Sequence, residues 1–125
     1  MNKEIISTSD APSAIGPYSQ AVKSGHLVFL SGQIALDTSG NIVSDDVQAQ
    51  THQVMKNIAA ILKTVNADYS AIVKTSIFLK DMNDFAAVNA VYASYFSGDF
   101  PARETVEVSR LPKDVRVEIS VIAAV

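Results

Sequence analysis

The clearest pattern in the chain is an apolar stripe of helical spacing between residues 45 and 65. Its members recur every three or four positions: Val47, Thr51, Val54, Met55, Ile58, Ile61, Leu62 and Val65. This spacing places them on one face of an α-helix and leaves the other face polar. We therefore predict a helix from Asp45 to Val65, which Ser44 or Asp45 can cap.

A second, shorter helix is predicted from Met82 to Phe96. Phe85, Val88 and Tyr92 fall on one side of it. The segment 97–99, Ser-Gly-Asp, ends the helix, and Pro101 prevents its continuation.

The remaining segments alternate with the two-residue period of β-strands. We predict a short strand at Lys3–Ser7, a hairpin over Ala21–Ser31, a strand at Ala71–Leu79 and a closing hairpin over residues 103–121. The order of strands, helix, strand, helix and strands is typical of an α+β fold, with two helices on one face of a single sheet. Because the other sheet face is partly apolar, it is a candidate for contact between subunits.

The closing hairpin carries the most informative polar side chains. In the predicted strands Arg103, Thr105 and Glu107 alternate onto one face, and Arg116, Glu118 and Ser120 occupy the same face of the returning strand. Arginine is well shaped to bind a carboxylate through two parallel hydrogen bonds. A nearby glutamate can hold or activate a water molecule. The pattern therefore favours hydrolysis of a small anionic substrate.

Composition narrows the possible classes of protein. The 125 residues suit one domain, 1–125, and the formal net charge of −3 with no basic stripe argues against nucleic-acid binding. The chain has no cysteine, hence no disulfide and no thiolate site, and its two histidines make a metal site improbable. No apolar run approaches the ~18 residues that span a bilayer. The first residues lack the apolar core of a signal peptide, so we expect a cytoplasmic protein.

Five segments, in this order, closely resemble one known family, the Rid (reactive intermediate deaminase) family. They are Gly16-Pro17-Tyr18-Ser19-Gln20-Ala21, Leu30-Ser31-Gly32-Gln33-Ile34, Gln50–Asn57, Asn89-Ala90-Val91-Tyr92, and Pro101-Ala102-Arg103 with Leu111-Pro112-Lys113 and Val117-Glu118-Ile119. No single tripeptide is specific, but the resemblance extends over essentially the whole chain at one length.

The resemblance implies a chorismate-mutase-like α+β fold with one mixed β-sheet. It also implies a homotrimer whose sheets form an inner barrel, with three clefts between subunits. The implied reaction, which needs no cofactor, hydrolyses 2-imino acids such as 2-iminobutanoate and 2-iminopropanoate, or their enamine tautomers, to 2-keto acids and ammonia.

Individual roles also follow from the resemblance. Arg103 would bind the substrate carboxylate, and Glu118 would position or activate the water, together with the backbone near Thr105. The cleft would be lined by Tyr18, Ser31, Gly32 and Asn89, some of them from a neighbouring subunit. Thr105 stands where many members have cysteine.

Each assignment has a structural alternative. Glu118 could be an ion-pair partner of Arg103 or Arg116, since such pairs resemble catalytic pairs in sequence. Tyr18 could be a loop anchor, and the pair at 31–32 a plain β-bulge. Two other functions also fit part of the pattern. The protein could bind small carboxylates as a regulatory trimer without turnover, or it could cleave RNA and inhibit translation.

Overall fold

The first helix, α1, runs from Val47 to Lys63 in the computed structural model, which describes residues 2–125. The Asp46 carboxylate caps it by accepting a hydrogen bond from the Ala49 N–H at 2.8 Å. The cap therefore lies one residue after Asp45, the later of the two predicted caps. The predicted stripe is buried, with Val54, Met55, Ile58, Ile61 and Leu62 fully enclosed.

The strands form one mixed sheet with the order β1-β2-β3-β6-β4-β5. They are β1 (Lys3–Ile6), β2 (Ala21–Ser24), β3 (Leu27–Gln33), β4 (Ile72–Leu79), β5 (Ala102–Glu107) and β6 (Val117–Ala124). All neighbours are antiparallel except β4 and β5, which run parallel and are connected through the second helix, α2 (Phe85–Ala93). A 3₁₀ turn, Met82–Asp84, leads into α2. The predicted α+β class and the two helices are confirmed.

The predicted closing hairpin is wrong. Strand β6 pairs with β3 and β4, and β5 pairs only with β4. The reason lies in the side chains. Every second residue of β6 from Val117 to Ala123 is buried, so this strand suits the centre of the sheet. Strand β5 carries charged residues on both faces, and such strands tolerate an exposed edge.

The two faces of the sheet have different environments. Helix α1 packs on the face that carries Val28, Leu30, Ile77 and Ile119, and the core lies between them. The opposite face, which we call the open face, exposes several apolar side chains: Ile5, Leu27, Phe29 and Val106. An exposed apolar surface of this kind is typical of a contact between subunits. No helix among residues 2–125 is long and apolar enough to cross a membrane.

Candidate active site

Glu118 lies on the open face of the central strand β6, beside a cavity of about 630 Å³. Tyr18, Ser31 and Gly32 line the same cavity, so the structure brings together four of the predicted site residues. Burial of about half of the glutamate raises the pKa of its carboxyl above the ordinary value of 4.5. A raised pKa makes this carboxylate a better proton acceptor than an exposed glutamate.

Gly32 allows the Glu118 side chain to lie against the backbone of β3. A Cβ atom at position 32 would stand only 2.9 Å from the Glu118 Cδ and closer still to a carboxylate oxygen. Pairing between β3 and β6 is irregular here, between Leu30 and Gln33, so the predicted bulge is present. The bulge and the missing side chain together make room for the carboxylate.

Tyr18 stands at the mouth of this cavity with about half of its surface exposed. Its backbone N–H donates to the Gly16 carbonyl at 2.9 Å, and its hydroxyl accepts from the Ile15 N–H at 3.4 Å. Gly16 itself has φ +113°, a conformation that a side chain would strain. Tyr18 therefore anchors its loop and also lines the cavity. Both interpretations from the sequence, a loop anchor and a cavity residue, apply to it.

Arg103 lies on the edge strand β5, at a second and smaller cavity of about 400 Å³ that Asn89 also lines. Its Nη1 donates to the Asn89 Oδ1 at 2.7 Å. Glu118 forms no ion pair with Arg103 or with Arg116 among the described residues, so the structural alternative given for Glu118 is wrong. Arg116 pairs instead with Asp84 at 3.3 Å.

Two aromatic rings that were not among the predicted site residues hold the Arg103 guanidinium in place. The Cζ lies 5.7 Å from the Phe85 ring centre and 5.3 Å from that of Tyr92. The Tyr92 hydroxyl donates to the buried Thr75 hydroxyl at 2.8 Å, which ties the ring to β4. Phe85, Asn89 and Tyr92 recur four and three residues apart, so helical spacing is the signal that could have grouped them.

The structure places Arg103 and Glu118 on opposite faces of the sheet, which corrects the prediction that they share one face. Arg103 stands opposite Thr75 in β4, whereas Glu118 stands opposite Phe78. Those two positions are three residues apart with regular pairing between them, and side chains of a strand alternate between faces. Arg103 therefore faces the helices, and Glu118 lies on the open face.

Thr105 follows Arg103 by two residues and shares its helix-side face. Its hydroxyl oxygen is buried and has no hydrogen-bond partner among residues 2–125. A buried polar group without a partner costs roughly 1–3 kcal/mol, and such groups are rare in folded proteins. The structure thus brings Thr105 near Arg103 and away from Glu118.

The cavity beside Arg103 and the cavity beside Glu118 provide complementary chemistry. One offers a guanidinium that can bind a carboxylate, and the other offers a carboxylate that can accept a proton from water. Within residues 2–125 no group of three or more His, Asp or Glu side chains is arranged to hold a metal ion. The fold and these side chains define a small α+β protein that presents a guanidinium and a carboxylate at two separate cavities.

Comparison with known proteins identifies the family. The family model described as Endoribonuclease L-PSP matches residues 8–125. The chain therefore belongs to this family, which is the Rid family that the sequence resembles.

Individual relatives are similar over nearly the whole chain. A RutC family protein from Pyrococcus horikoshii is 53% identical over 97% of this chain and 97% of its own. The 2-iminobutanoate/2-iminopropanoate deaminase of Salmonella typhimurium is 50% identical over 94% of each chain. A crystal structure from Yersinia pestis, described as a Rid family protein of unknown function, superposes with a TM-score of 0.97. It is 50% identical and covers 99% of this chain and 100% of its own.

Replacing Thr105 with valine tests the environment of its hydroxyl. Valine keeps the shape and removes the unpartnered hydroxyl, so we expect the free energy of unfolding to rise by about 1–2 kcal/mol. Chemical denaturation of wild type and variant measures the difference. Thr38→Val, the same change at an exposed turn residue outside the sheet, is the control and should change stability by less than about 0.5 kcal/mol. A loss of stability in Thr105→Val would mean that the hydroxyl has a partner in the folded protein.

Proposed function

We propose that this protein is a hydrolytic deaminase that converts 2-imino acids, or their enamine tautomers, to 2-keto acids and ammonia. The observation that carries the proposal is the combination of a braced Arg103 guanidinium with a half-buried Glu118 carboxylate of raised pKa. Relatives that are 47–50% identical support it, since they are named 2-iminobutanoate/2-iminopropanoate deaminase.

The proposed assembly is a homotrimer with its clefts between subunits. Because Arg103 and Glu118 face opposite sides of one sheet, one small substrate cannot contact both in the same chain. A cleft in which Arg103 of one copy meets Glu118 of the next would join the two halves. The same arrangement would cover the apolar side chains of the open face and turn the three sheets into an inner barrel.

The chemistry requires little beyond binding and proton transfer. Arg103 binds the substrate carboxylate and so orients the adjacent C=N bond. Glu118 takes a proton from water as the oxygen adds to the carbon of the protonated imine, whose C=N electron pair moves to the nitrogen and leaves a neutral amine. Glu118 then returns this proton to the amine nitrogen, the C–N bond breaks as ammonia leaves, and the hydroxyl proton passes to Glu118 as the C=O of the keto acid forms. Water is the only co-reactant, so the scheme needs no cofactor.

Two other functions give different results in the same assay. A carboxylate-binding trimer without turnover would bind 2-ketobutanoate but would not accelerate its release from the imine. An RNA-cleaving protein is disfavoured by the net charge of −3 and by lysines and arginines that are scattered singly. The assay couples a threonine dehydratase to this protein and follows release of 2-ketobutanoate from the imine.

Loss of the Arg103 guanidinium should abolish most of the activity. Arg103→Ala removes two charge-assisted hydrogen bonds worth roughly 1.5–3 kcal/mol each, or on the order of 10²–10⁴ in kcat/KM. Arg103→Lys should recover only part of it, because an ammonium cannot form the bidentate contact. Arg110→Ala is the matched control, since Arg110 is exposed and, among residues 2–125, pairs only with Asp114. Wild-type turnover by Arg103→Ala would exclude this residue from the mechanism.

Glu118→Gln separates catalysis from binding. If the carboxylate is the proton acceptor, turnover at saturating substrate should fall by well over tenfold, while 2-ketobutanoate binding measured by calorimetry stays intact or tightens. The wild-type rate should also fall as the pH drops through the raised pKa of Glu118, and the variant should lack this acid limb. Weakened binding with preserved saturated turnover would instead assign Glu118 a structural role.

Mixing the two inactive variants tests whether the cleft is shared. In trimers reassembled from equal amounts of Arg103→Ala and Glu118→Gln chains, about a quarter of the clefts should pair an intact Arg103 with an intact Glu118. Activity should therefore return to roughly a quarter of the wild-type level. Trimers of each variant alone, taken through the same dissociation and reassembly, are the control. No recovery in verified mixed trimers would contradict the shared cleft.

A further inference from the structure

A hydrogen-bonded pair of buried hydroxyl groups lies close to Arg103, and the proposed chemistry does not use it. Thr75 is 0% exposed and Tyr92 is 2% exposed. The Tyr92 hydroxyl donates to the Thr75 Oγ1 at 2.8 Å. Valine and phenylalanine would fill the same space at little cost in stability, because they leave no buried polar group to satisfy. Packing alone therefore does not account for this pair of side chains.

The pair is connected to Arg103 on two sides. Thr75 on β4 stands directly opposite Arg103 on β5 in the register of the sheet. Tyr92 on α2 places its ring centre 5.3 Å from the Arg103 Cζ. The bond between the two hydroxyls therefore fixes the ring relative to the strand pair that carries the guanidinium. Burial raises the pKa of Tyr92 above its ordinary value of 10.0, so the hydroxyl remains a donor at neutral pH.

The Tyr92 ring matters because the guanidinium has few other constraints. Among residues 2–125 its one hydrogen bond joins Nη1 to the Asn89 Oδ1, at 2.7 Å. A single hydrogen bond leaves the guanidinium plane free to turn about that bond, so its tilt depends on the flanking rings. Phe85 is 39% exposed, which leaves the buried Tyr92 as the more rigid ring of the two. A bidentate contact with a carboxylate requires a defined guanidinium plane.

We propose that Thr75 and Tyr92 are positioning residues for carboxylate binding, and that their hydrogen bond holds the Arg103 guanidinium in the plane that a substrate carboxylate meets. Neither hydroxyl touches the substrate. The inference rests on the role proposed for Arg103 and adds to it two residues that act through the guanidinium. Without the bond, the ring and the guanidinium are less ordered before binding, and ordering them weakens affinity by about three- to tenfold.

A double-mutant cycle separates positioning from stability. Thr75→Val and Tyr92→Phe each leave one buried hydroxyl unpaired and should lower stability, whereas the double variant leaves none and should recover it. The hydrogen bond is absent from all three variants. We therefore expect the Kd for 2-ketobutanoate, measured by calorimetry, to rise by about three- to tenfold in all three. In the dehydratase-coupled assay KM should rise with Kd, while kcat stays within about twofold of wild type, because Glu118 is unchanged.

Thr75→Ser is the conservative variant that should keep binding intact. Serine retains the hydroxyl that accepts from Tyr92 but loses a buried methyl group, so stability should fall while the Kd stays within about twofold of wild type. Tyr69→Phe is the matched control. The Tyr69 hydroxyl donates to the Met55 carbonyl at 2.8 Å, and its ring is not one of the two that contact the guanidinium. Its removal should lower stability without changing the Kd.

Several outcomes overturn the inference. A wild-type Kd in the double variant would do so, because affinity would then follow stability rather than the hydrogen bond. Equal weakening by Tyr69→Phe would also overturn it, as would a loss of affinity in Thr75→Ser as large as that in Thr75→Val. Failure of the deaminase proposal looks different. In that case the wild-type protein would release 2-ketobutanoate from the imine no faster than buffer does, while the variants would keep the expected pattern of affinities.

Discussion

The alternation of side chains along a β-strand is the constraint on which the candidate site depends. Arg103 on β5 and Glu118 on β6 are separated by β4, and the register across that strand puts them on opposite faces of the sheet. No rotamer change can bring an edge-strand guanidinium through a hydrogen-bonded sheet. A site that uses both groups on one small substrate, as we propose, therefore requires more than one chain.

Polar side chains of the candidate site have fewer hydrogen-bond partners than the polar side chains that hold the fold together. Gln50 is buried, and its amide bonds both the Ser44 carbonyl and the Arg116 N–H, which ties α1 to the segment before β6. Glu118 is half-buried and carries a raised pKa, and the Thr105 hydroxyl has no partner within residues 2–125. A buried polar group without a hydrogen-bond partner costs free energy in the unliganded protein. A ligand that supplies the partner removes that cost on binding.

The sequence predicted the local elements well and the long-range pairing poorly. Helical periodicity located α1 within about two residues at each end, because burial of one face governs both the pattern and the helix. The predicted closing hairpin was wrong because alternation identifies a strand but does not indicate which strand it pairs with. Four of the residues named by the resemblance, Tyr18, Ser31, Gly32 and Glu118, line one cavity in the structure. The contact of Phe85 and Tyr92 with the Arg103 guanidinium was not predicted. Both residues lie on the apolar side of the second helix, where the sequence indicates core residues.

The central position of β6 has a consequence for how the chain folds during synthesis. Strands β3 and β4 do not pair with each other and are joined only through β6, which is the last strand to be made. The β1–β3 meander and the β4–α2–β5 unit can form on the ribosome as separate pieces, each with an exposed apolar edge. The two pieces become one sheet only when β6 has emerged, so the pairings of β6 with β3 and β4 are the last of this sheet to form during synthesis.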